Sequence, residues 1–222
     1  MQDSKADALI DPAFLFRFAI EFPRVPLKWS AAGLKLPESC RIASLAPLSG
    51  RPHFADVRVG WDDSGIGLSV AVAGKRSLPW CRDSRLEDSD GVHLWIDSRC
   101  SPNIHRATQY CHRFLFMPAG GGAARDEPVA SLIPIHRARA NPKPLDRGQL
   151  KIFALPRHDG YQLSGLIPAD ALTGFNPADH PRLGFYYAVI DRELGWQTMT
   201  LGPEYPVMDD PSLWCEAGLS SP

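Results

Sequence analysis

The sequence predicts an all-β protein, namely a two-sheet antiparallel β-sandwich of the jelly-roll or immunoglobulin-like kind with short helical turns only. Two observations lead to this prediction. Apolar and polar residues alternate with period two in segment after segment, whereas no helical pattern extends beyond about two turns. The 21 prolines and 18 glycines are spread along the chain, and they place turn signals at roughly ten-residue intervals.

Length and composition bound the kind of protein. A chain of 222 residues with 44% hydrophobic content suits one large β-sandwich, so we expect a single domain over residues 1–222. Within it we expect an N-terminal tail at 1–11 and a flexible glycine-rich loop at 118–128. The 24 lysines and arginines nearly balance the 25 aspartates and glutamates, which argues against a nucleic acid partner. No apolar run is long enough to span a membrane, so no membrane partner is expected.

The cysteines and the N-terminus bear on the cellular compartment. The five cysteines are odd in number and no two form a C-x-x-C pair, which is typical of reduced thiols in a cytosolic protein. Residues 1–11 contain neither a basic nor an apolar segment of the signal-peptide type. We therefore expect a cytoplasmic protein, or a secreted one if a leader precedes this sequence. We expect no cofactor, and the glycines at 120–122 have no phosphate-binding pattern around them.

The first part of the chain predicts three strands. Apolar side chains share one face over 14–22, and Pro23 and Pro26 end that strand because proline cannot donate to the hydrogen-bond ladder. Residues 54–61 and 66–72 alternate on either side of an Asp-Asp-Ser-Gly turn signal. These two segments therefore predict a β-hairpin.

The rest of the chain predicts further strands with short connections. Their expected bounds are 92–97, 105–117, 129–138, 150–155, 161–167, 183–191 and 196–201. The fourth and fifth of these form a second hairpin around residues 158–160. A short helical turn is expected at 168–172, and the tail at 209–222 is expected to pack back on the fold.

The segment 89–97 carries the most chemical information. Its even-numbered residues from 92 to 96 are aliphatic, whereas His93, Trp95 and Asp97 point to the opposite face of the strand. A face with an imidazole, an indole and a carboxylate either lies under another layer with its polar atoms paired or forms the floor of a site. Trp80, in the polar loop before this strand, is likewise either a plug or a binding platform.

The order of four sequence motifs resembles that of the family 9 carbohydrate-binding modules and the wider DOMON-like sandwiches. The motifs are WDDSGIGL at 61–68, DGVHLWID at 90–97, YQLSGLIP at 161–168 and GFYYAVID at 184–191, the last being followed by Trp196. The resemblance covers roughly residues 50–215. It implies a two-sheet antiparallel sandwich that binds a sugar end without catalysis, with aromatic rings stacked on the sugar.

The small-molecule ligand is most plausibly a saccharide, and its candidate binding residues come partly from the resemblance and partly from the chemistry of the side chains. Trp80 and Trp196 lie where the resemblance places the stacking aromatics, although Trp196 could equally cover the edge of the core. His93, Asp97 and Arg113 are the candidate hydrogen-bonding groups, with Trp95 between the first two. The sequence departs from the family pattern at His93, where the family has a glutamate.

A metal site or a hydrolase is one alternative. His105 and His112 lie within seven residues of each other, and His93 is on an adjacent strand if the sheet is sequential. On an unbroken strand, however, His105 and His112 would point to opposite faces. No zinc-protease, C-x-x-C or nucleophile-elbow motif is present. We therefore expect a protein that is not an enzyme.

A protein-interaction domain is the other alternative. The middle of the chain is rich in arginine, and an arginine patch with aromatic residues could bind an acidic partner or a phosphate-bearing ligand. The arginines concerned are Arg82, Arg85, Arg99, Arg106, Arg113, Arg137 and Arg139.

Overall fold

Two β-sheets packed face to face make up the protein, as seen in a computed structural model that describes residues 18–220. The strands are β1 Ala19–Pro23, β2 Ala55–Asp62, β3 Gly65–Ala73, β4 Gly91–Asp97, β5 Cys111–Gly121, β6 Glu127–Ile133, β7 Lys151–Arg157, β8 Gly160–Pro168, β9 Arg182–Asp191, β10 Gly195–Thr198 and β11 Cys215–Ser220. Helical structure in the described residues is confined to short 3-10 turns of three or four residues. The predicted all-β sandwich is therefore confirmed, and none of these turns could cross a membrane.

The larger sheet has seven strands and the smaller sheet has four. The order in the larger sheet is β1-β11-β9-β4-β5-β6, and the smaller sheet runs β2-β3-β8-β7. The seventh strand of the larger sheet, β10, pairs with residues 188–191 of β9, whereas β11 pairs with residues 182–185. Every pair is antiparallel except β1 with β11, which is parallel. No hairpin joins β1 to β11, so no turn forces an antiparallel arrangement on them.

Local sequence patterns predicted both hairpins correctly. The β2–β3 turn lies at residues 63–64, and the β7–β8 turn lies at 158–159. The 3-10 turn Ala169–Ala171 follows β8, as expected. The predicted tail at 1–11 and the first part of the predicted strand at 14–22 lie outside the described residues, and β1 begins at Ala19.

Several predicted boundaries were wrong. The expected flexible loop at 118–128 is mostly strand, because β5 continues to Gly121 and β6 begins at Glu127. Strand β5 begins only at Cys111, and β6 ends before Pro134, which has no N–H to donate to the ladder. The predicted strand at 196–201 ends at Thr198. The C-terminal tail contains β11, whose alternation is short and is interrupted by glycine.

The space between the two sheets is the hydrophobic core. One cluster of buried side chains draws on both sheets, including Val57 and Leu68 from the smaller sheet and Leu94, Phe116 and Phe185 from the larger one. Because side chains alternate along each strand, the intervening residues of β4, β5 and β9 point to the other face of the larger sheet. We call that side the outer face.

Two long segments cover the outer face. Segment 74–90 joins β3 to β4, and its Cys81 packs with Leu115 and Met117 of β5 in a second buried cluster. Segment 199–214 joins β10 to β11 and donates no strand to either sheet. These two coverings determine which parts of the outer face a ligand could reach.

Candidate ligand-binding site

Strand β4 alternates as predicted, but both of its faces are buried. All seven residues of Gly91–Asp97 are buried, including His93 and Trp95 with no exposed surface at all. Cross-strand pairing places Trp95 beside Arg113 of β5 and Tyr186 of β9, all on the outer face. The polar face of β4 therefore lies under another layer, as in the first of its two predicted arrangements, but its polar atoms are not all paired: within the described residues, buried His93 Nε2 has no hydrogen-bond partner.

His93, Trp95 and Arg113 form one stacked group beneath segment 74–90. The imidazole and indole centroids are 5.6 Å apart with an interplanar angle of 22°, and the Arg113 guanidinium carbon lies 5.1 Å from the indole centroid. Arg113 Nη2 lies 3.4 Å from His93 Nδ1, and Arg113 Nη1 donates to Glu87 at 2.8 Å. Burial, and then the Arg113 charge, hold the pKa of His93 well below its usual value, so its neutral ring can accept the Arg113 hydrogen bond.

Segment 199–214 closes over the neighbouring part of the outer face. The indole Nε1 of Trp95 donates to the Met208 carbonyl at 3.1 Å, and the Tyr186 hydroxyl donates to the Leu201 carbonyl at 2.5 Å. The three predicted ligand-binding residues His93, Trp95 and Arg113 are thus brought together but sealed. A ligand reaches them only if one of the two covering segments moves.

Asp97 is occupied in holding a turn. Its Oδ1 accepts the backbone N–H of Arg99 at 3.0 Å, and its Oδ2 accepts that of Ser101 at 2.7 Å. These bonds stabilise the tight turn after β4, in which Cys100 has a φ of 47°. Asp97 also borders a cavity of about 760 Å³. Segment 199–214 forms part of its wall, in particular through Tyr205 and Trp214.

Trp80 and Trp196 lie at the opposite end of β4 and are both partly exposed. Trp196 pairs with Ile190 across β10 and β9, and Ile190 pairs with Gly91, so the Trp196 side chain lies on the outer face. Its neighbour Gln197 points the other way and bonds to the backbone of β2. Since adjacent strands are about 4.8 Å apart, the Cα atom of Trp196 lies about 10 Å from that of Gly91.

A buried ion cluster builds the end of the sheet that carries these two tryptophans. Lys75 Nζ bonds to Asp191 at 2.7 and 2.8 Å and to Asp90 at 3.1 Å. All three side chains are almost completely buried. Burial acts to lower the pKa of Lys75, but the hydrogen bonds to Asp191 and Asp90 outweigh it and raise that pKa above its usual value. The side chain is therefore an ammonium ion.

The Asp90 carboxylate also ties together the two chain segments around Trp80. Its Oδ2 accepts the backbone N–H of Trp80 at 2.9 Å, and its Oδ1 accepts that of Arg192 at 2.8 Å. The guanidinium carbons of three arginines lie near the Trp80 ring centroid, at 4.9 Å for Arg192, 5.7 Å for Arg82 and 5.8 Å for Arg85. A partly exposed indole is thus surrounded by guanidinium groups.

Comparison with solved structures identifies the fold. A family 9 carbohydrate-binding module from Caldicellulosiruptor kristjanssonii in complex with cellotriose superposes with a TM-score of 0.57 at 12% identity, covering 93% of this chain and 95% of that one. The protein has the fold of a family 9 carbohydrate-binding module. The glucose complex of a family 9 module from the same organism matches with a TM-score of 0.56 at 12% identity, covering 93% and 97%. A candidate carbohydrate-binding protein from Bacteroides uniformis matches with a TM-score of 0.52 at 11% identity, covering 91% and 98%.

The predicted resemblance to family 9 is thereby confirmed at the level of the fold, while the wider DOMON-like resemblance stays a prediction. No protein-family profile matches the sequence, and no curated protein matches it. In this family 9 fold the six predicted ligand-binding residues divide into three groups. Trp80 and Trp196 are partly exposed at one end of β4, His93, Trp95 and Arg113 are buried at its middle, and Asp97 lies at its other end.

The histidines of the metal-site alternative do not come together in this family 9 fold. His112 is buried on the inner face, where its Nε2 accepts the Thr173 N–H at 2.9 Å. His105 precedes β5 in an exposed position, with its Nδ1 3.0 Å from an Asp210 carboxylate oxygen. Among residues 18–220 no three histidine, cysteine or acidic side chains are grouped so that they could hold a metal ion.

The arginines of the interaction-domain alternative do not form one patch either. Arg82 and Arg85 lie beside Trp80, whereas Arg113 is buried. Arg99 lies over Tyr110 beyond the opposite end of β4. The two ends of β4 are about 20 Å apart, because the strand has seven residues. The arginines at these ends therefore cannot form one continuous patch.

Sequence reasoning missed Lys75 and Arg192. Neither residue has a local pattern that marks it, because a lone lysine in a loop and an arginine in a turn are both ordinary surface residues. The cavity beside Asp97 was missed as well, since its walls come from separate parts of the chain. Of the three residues in the buried ion cluster, only Asp90 and Asp191 lie in motifs that the sequence had singled out, DGVHLWID and GFYYAVID.

Proposed function

We propose that this protein is a non-catalytic module that binds a carbohydrate by aromatic stacking against Trp80 and Trp196. The observation that carries the proposal is the placement of two partly exposed tryptophans at one end of the larger sheet, on the outer face and its adjoining loop. The fold supports it, because the family 9 modules of the same fold were solved with cellotriose and with glucose.

Sugar recognition suits this end of the sheet for a physical reason. A pyranose presents flat C–H faces that pack against an indole, and its hydroxyl groups need hydrogen-bonding partners around the ring. The guanidinium groups of exposed Arg192 and partly exposed Arg82, both near Trp80, supply donors for that purpose. The buried group of His93, Trp95 and Arg113 then has a structural role, because Arg113 bonds to Glu87 of the covering segment 74–90.

Calorimetric titration with glucose, cellobiose and cellotriose tests this proposal directly. We expect Trp80→Ala to weaken sugar binding at least tenfold, because a stacked aromatic ring contributes much of the contact area of a sugar site. Trp29→Ala is the matched control, since Trp29 is also partly exposed but packs in a separate cluster with Leu27 and Leu34. It should leave sugar binding unchanged.

Two further variants separate the proposed site from the cavity beside Asp97. Trp196→Phe keeps an apolar ring against the core and should weaken binding with little loss of stability. Tyr205→Ala changes the wall of the cavity and should leave binding unchanged. Loss of sugar binding in Tyr205→Ala with retention in Trp80→Ala would move the site to the cavity, and absence of binding to every sugar would refute the proposed function.

A further inference from the structure

Two of the arginines around Trp80, Arg82 and Arg192, are anchored through their backbones, which leaves their guanidinium groups available to a ligand. The N–H of Arg192 donates to buried Asp90, and the N–H of Arg82 donates to the hydroxyl of buried Ser89 at 2.9 Å. Ser89 and Asp90 immediately precede the central strand β4. Two guanidinium groups from distant parts of the chain are therefore held beside one indole by the rigid end of the sheet.

Four carboxylates nearby already have other partners. Asp88 pairs with Arg85, and the Glu193 carboxylate accepts the backbone N–H groups of Arg76 and Ser77. Asp90 and Asp191 are buried around Lys75. In the part of the chain that the structure describes, no carboxylate lies within 4.0 Å of the guanidinium nitrogens of Arg82 or Arg192.

Like charges that converge without a counter-ion match an anionic ligand. A guanidinium group presents a planar fork of N–H donors that suits the two oxygens of a carboxylate. The neighbouring indole presents a flat apolar face that suits a sugar ring. Both requirements are met together by a sugar that carries a carboxylate on its ring.

We propose that the Trp80 site selects an acidic sugar, a uronic acid or a glycan that ends in one, with Arg82 and Arg192 binding its carboxylate. This inference rests on the proposed carbohydrate-binding function and names the class of sugar. The sugar ring stacks on Trp80 after these two arginine side chains turn from the indole towards the carboxylate. Arg85 takes no direct part, because Asp88 holds its guanidinium with bonds of 2.5 and 3.0 Å.

Titration of the full chain with glucuronate and glucose, which differ in the oxidation state of one carbon, tests the inference. Glucuronate should bind at least tenfold more tightly, and its affinity should fall as sodium chloride is raised, whereas that of glucose should not. Arg82→Gln and Arg192→Gln keep the anchoring backbone N–H groups. Each should weaken glucuronate binding about tenfold but glucose binding by less than about threefold, because the glutamine amide can still donate to a hydroxyl group. Arg147→Gln, at an exposed position elsewhere, is the matched control and should change neither.

The possible outcomes distinguish this inference from the proposed function. Equal affinity for glucose and glucuronate, or variants that weaken both alike, would overturn the acidic-sugar inference and leave carbohydrate binding intact. Absence of binding to both sugars would overturn both. Sodium acetate that displaces glucuronate at equal concentration would identify a plain anion site and would also overturn the inference.

Discussion

Lys75 is the residue on which the Trp80 end of the molecule depends. Its ammonium ion lies between Asp90 and Asp191, and those two carboxylates in turn hold the backbone of Trp80, Arg192 and the turn after β9. Buried charges are costly unless they are paired, so each member of this cluster needs the others. A single side chain thereby couples the stability of the fold to the geometry of the candidate site.

Lys75→Met should lower the free energy of unfolding by about 3–5 kcal/mol, because it leaves two buried carboxylates without their cation. Urea unfolding followed by tryptophan fluorescence measures this change. Lys151→Met is the control, since Lys151 is exposed on β7, and it should change the free energy by less than about 0.5 kcal/mol. A surface ion pair contributes at most about 1 kcal/mol. If the free energy of unfolding of Lys75→Met differed from that of the wild type by no more than this, the cluster would not stabilise the fold.

His112 makes stability depend on pH. Burial, opposed by hydrogen bonds to Ile96 and Tyr110, lowers the pKa of His112 from 6.5 to about 4. Its Nε2 accepts the Thr173 N–H, so its proton is on Nδ1, 3.4 Å from the Ile96 carbonyl. Between pH 6.5 and pH 4 the unfolded chain binds a proton that the folded protein does not. Stability is therefore complete above pH 6.5 and is lost as the pH falls.

The comparison of wild type with His112→Gln isolates this effect, because glutamine can accept the Thr173 N–H without titrating. Between pH 7 and pH 5 the wild type should lose about 2 kcal/mol more unfolding free energy than the variant. Urea titrations at the two pH values give the difference. Equal losses would mean that His112 is protonated in the folded protein at pH 5. His93, whose pKa is also lowered, contributes equally to both proteins and cancels.

At the scale of the secondary-structure elements, the tight β2–β3 hairpin depends on one glycine. Gly65 has a φ of 142° and pairs with Pro168 of β8. A Cβ atom at this position would lie 2.1 Å from the Ile167 carbonyl oxygen, which is inside any allowed contact distance. The hairpin can therefore join the centre of the smaller sheet only with glycine at its turn.

Gly65→Ala should destabilise the protein by at least about 2 kcal/mol more than Gly74→Ala. Gly74 also has a positive φ, of 92°, but a Cβ atom there would meet nothing within 4 Å. The pair thus separates the cost of the backbone conformation, about 1 kcal/mol, from the cost of the clash. Thermal or urea unfolding provides the measurement, and equal losses for the two variants would contradict the predicted clash.

At the scale of the whole molecule, a common core makes the two sheets one cooperative unit. The buried cluster includes residues of every strand from β2 to β5 and of β8 and β9, so neither sheet can expose its inner face alone. The five cysteines are all unpaired thiols and lie in or beside packed regions. Their reactivity therefore reports on the opening of the whole fold.

The native protein should react slowly with an aromatic disulfide reagent at pH 8. Burial raises the pKa of Cys81 and Cys111 to about 12 and that of Cys100 to about 11, which leaves very little thiolate to react. Unfolding in guanidinium should release all five thiols. Fast reaction of any thiol in the native protein, or fewer than five after unfolding, would contradict this prediction.

Particular elements show how far the sequence alone could predict the fold. The β2–β3 hairpin was correct because its alternation and its turn residues are adjacent in the chain. Strand β11 was missed because it pairs with β9 and, in parallel, with β1, and both partners are far away in the sequence. The alternation of β4 was correct as well, but its burial on both faces depends on segments 74–90 and 199–214.

The candidate site divides in the same way. The sequence by itself determined the strands, the hairpins and the two faces of β4, because backbone sterics and side-chain alternation act between near neighbours. It also singled out Trp80 and Trp196. Only the tertiary structure placed Arg192 beside Trp80. The link is the Asp90 carboxylate, which accepts the N–H of Trp80, 10 positions away in the chain, and that of Arg192, 102 positions away. Such contacts depend on which strands become neighbours, and that choice is made by packing of the whole chain.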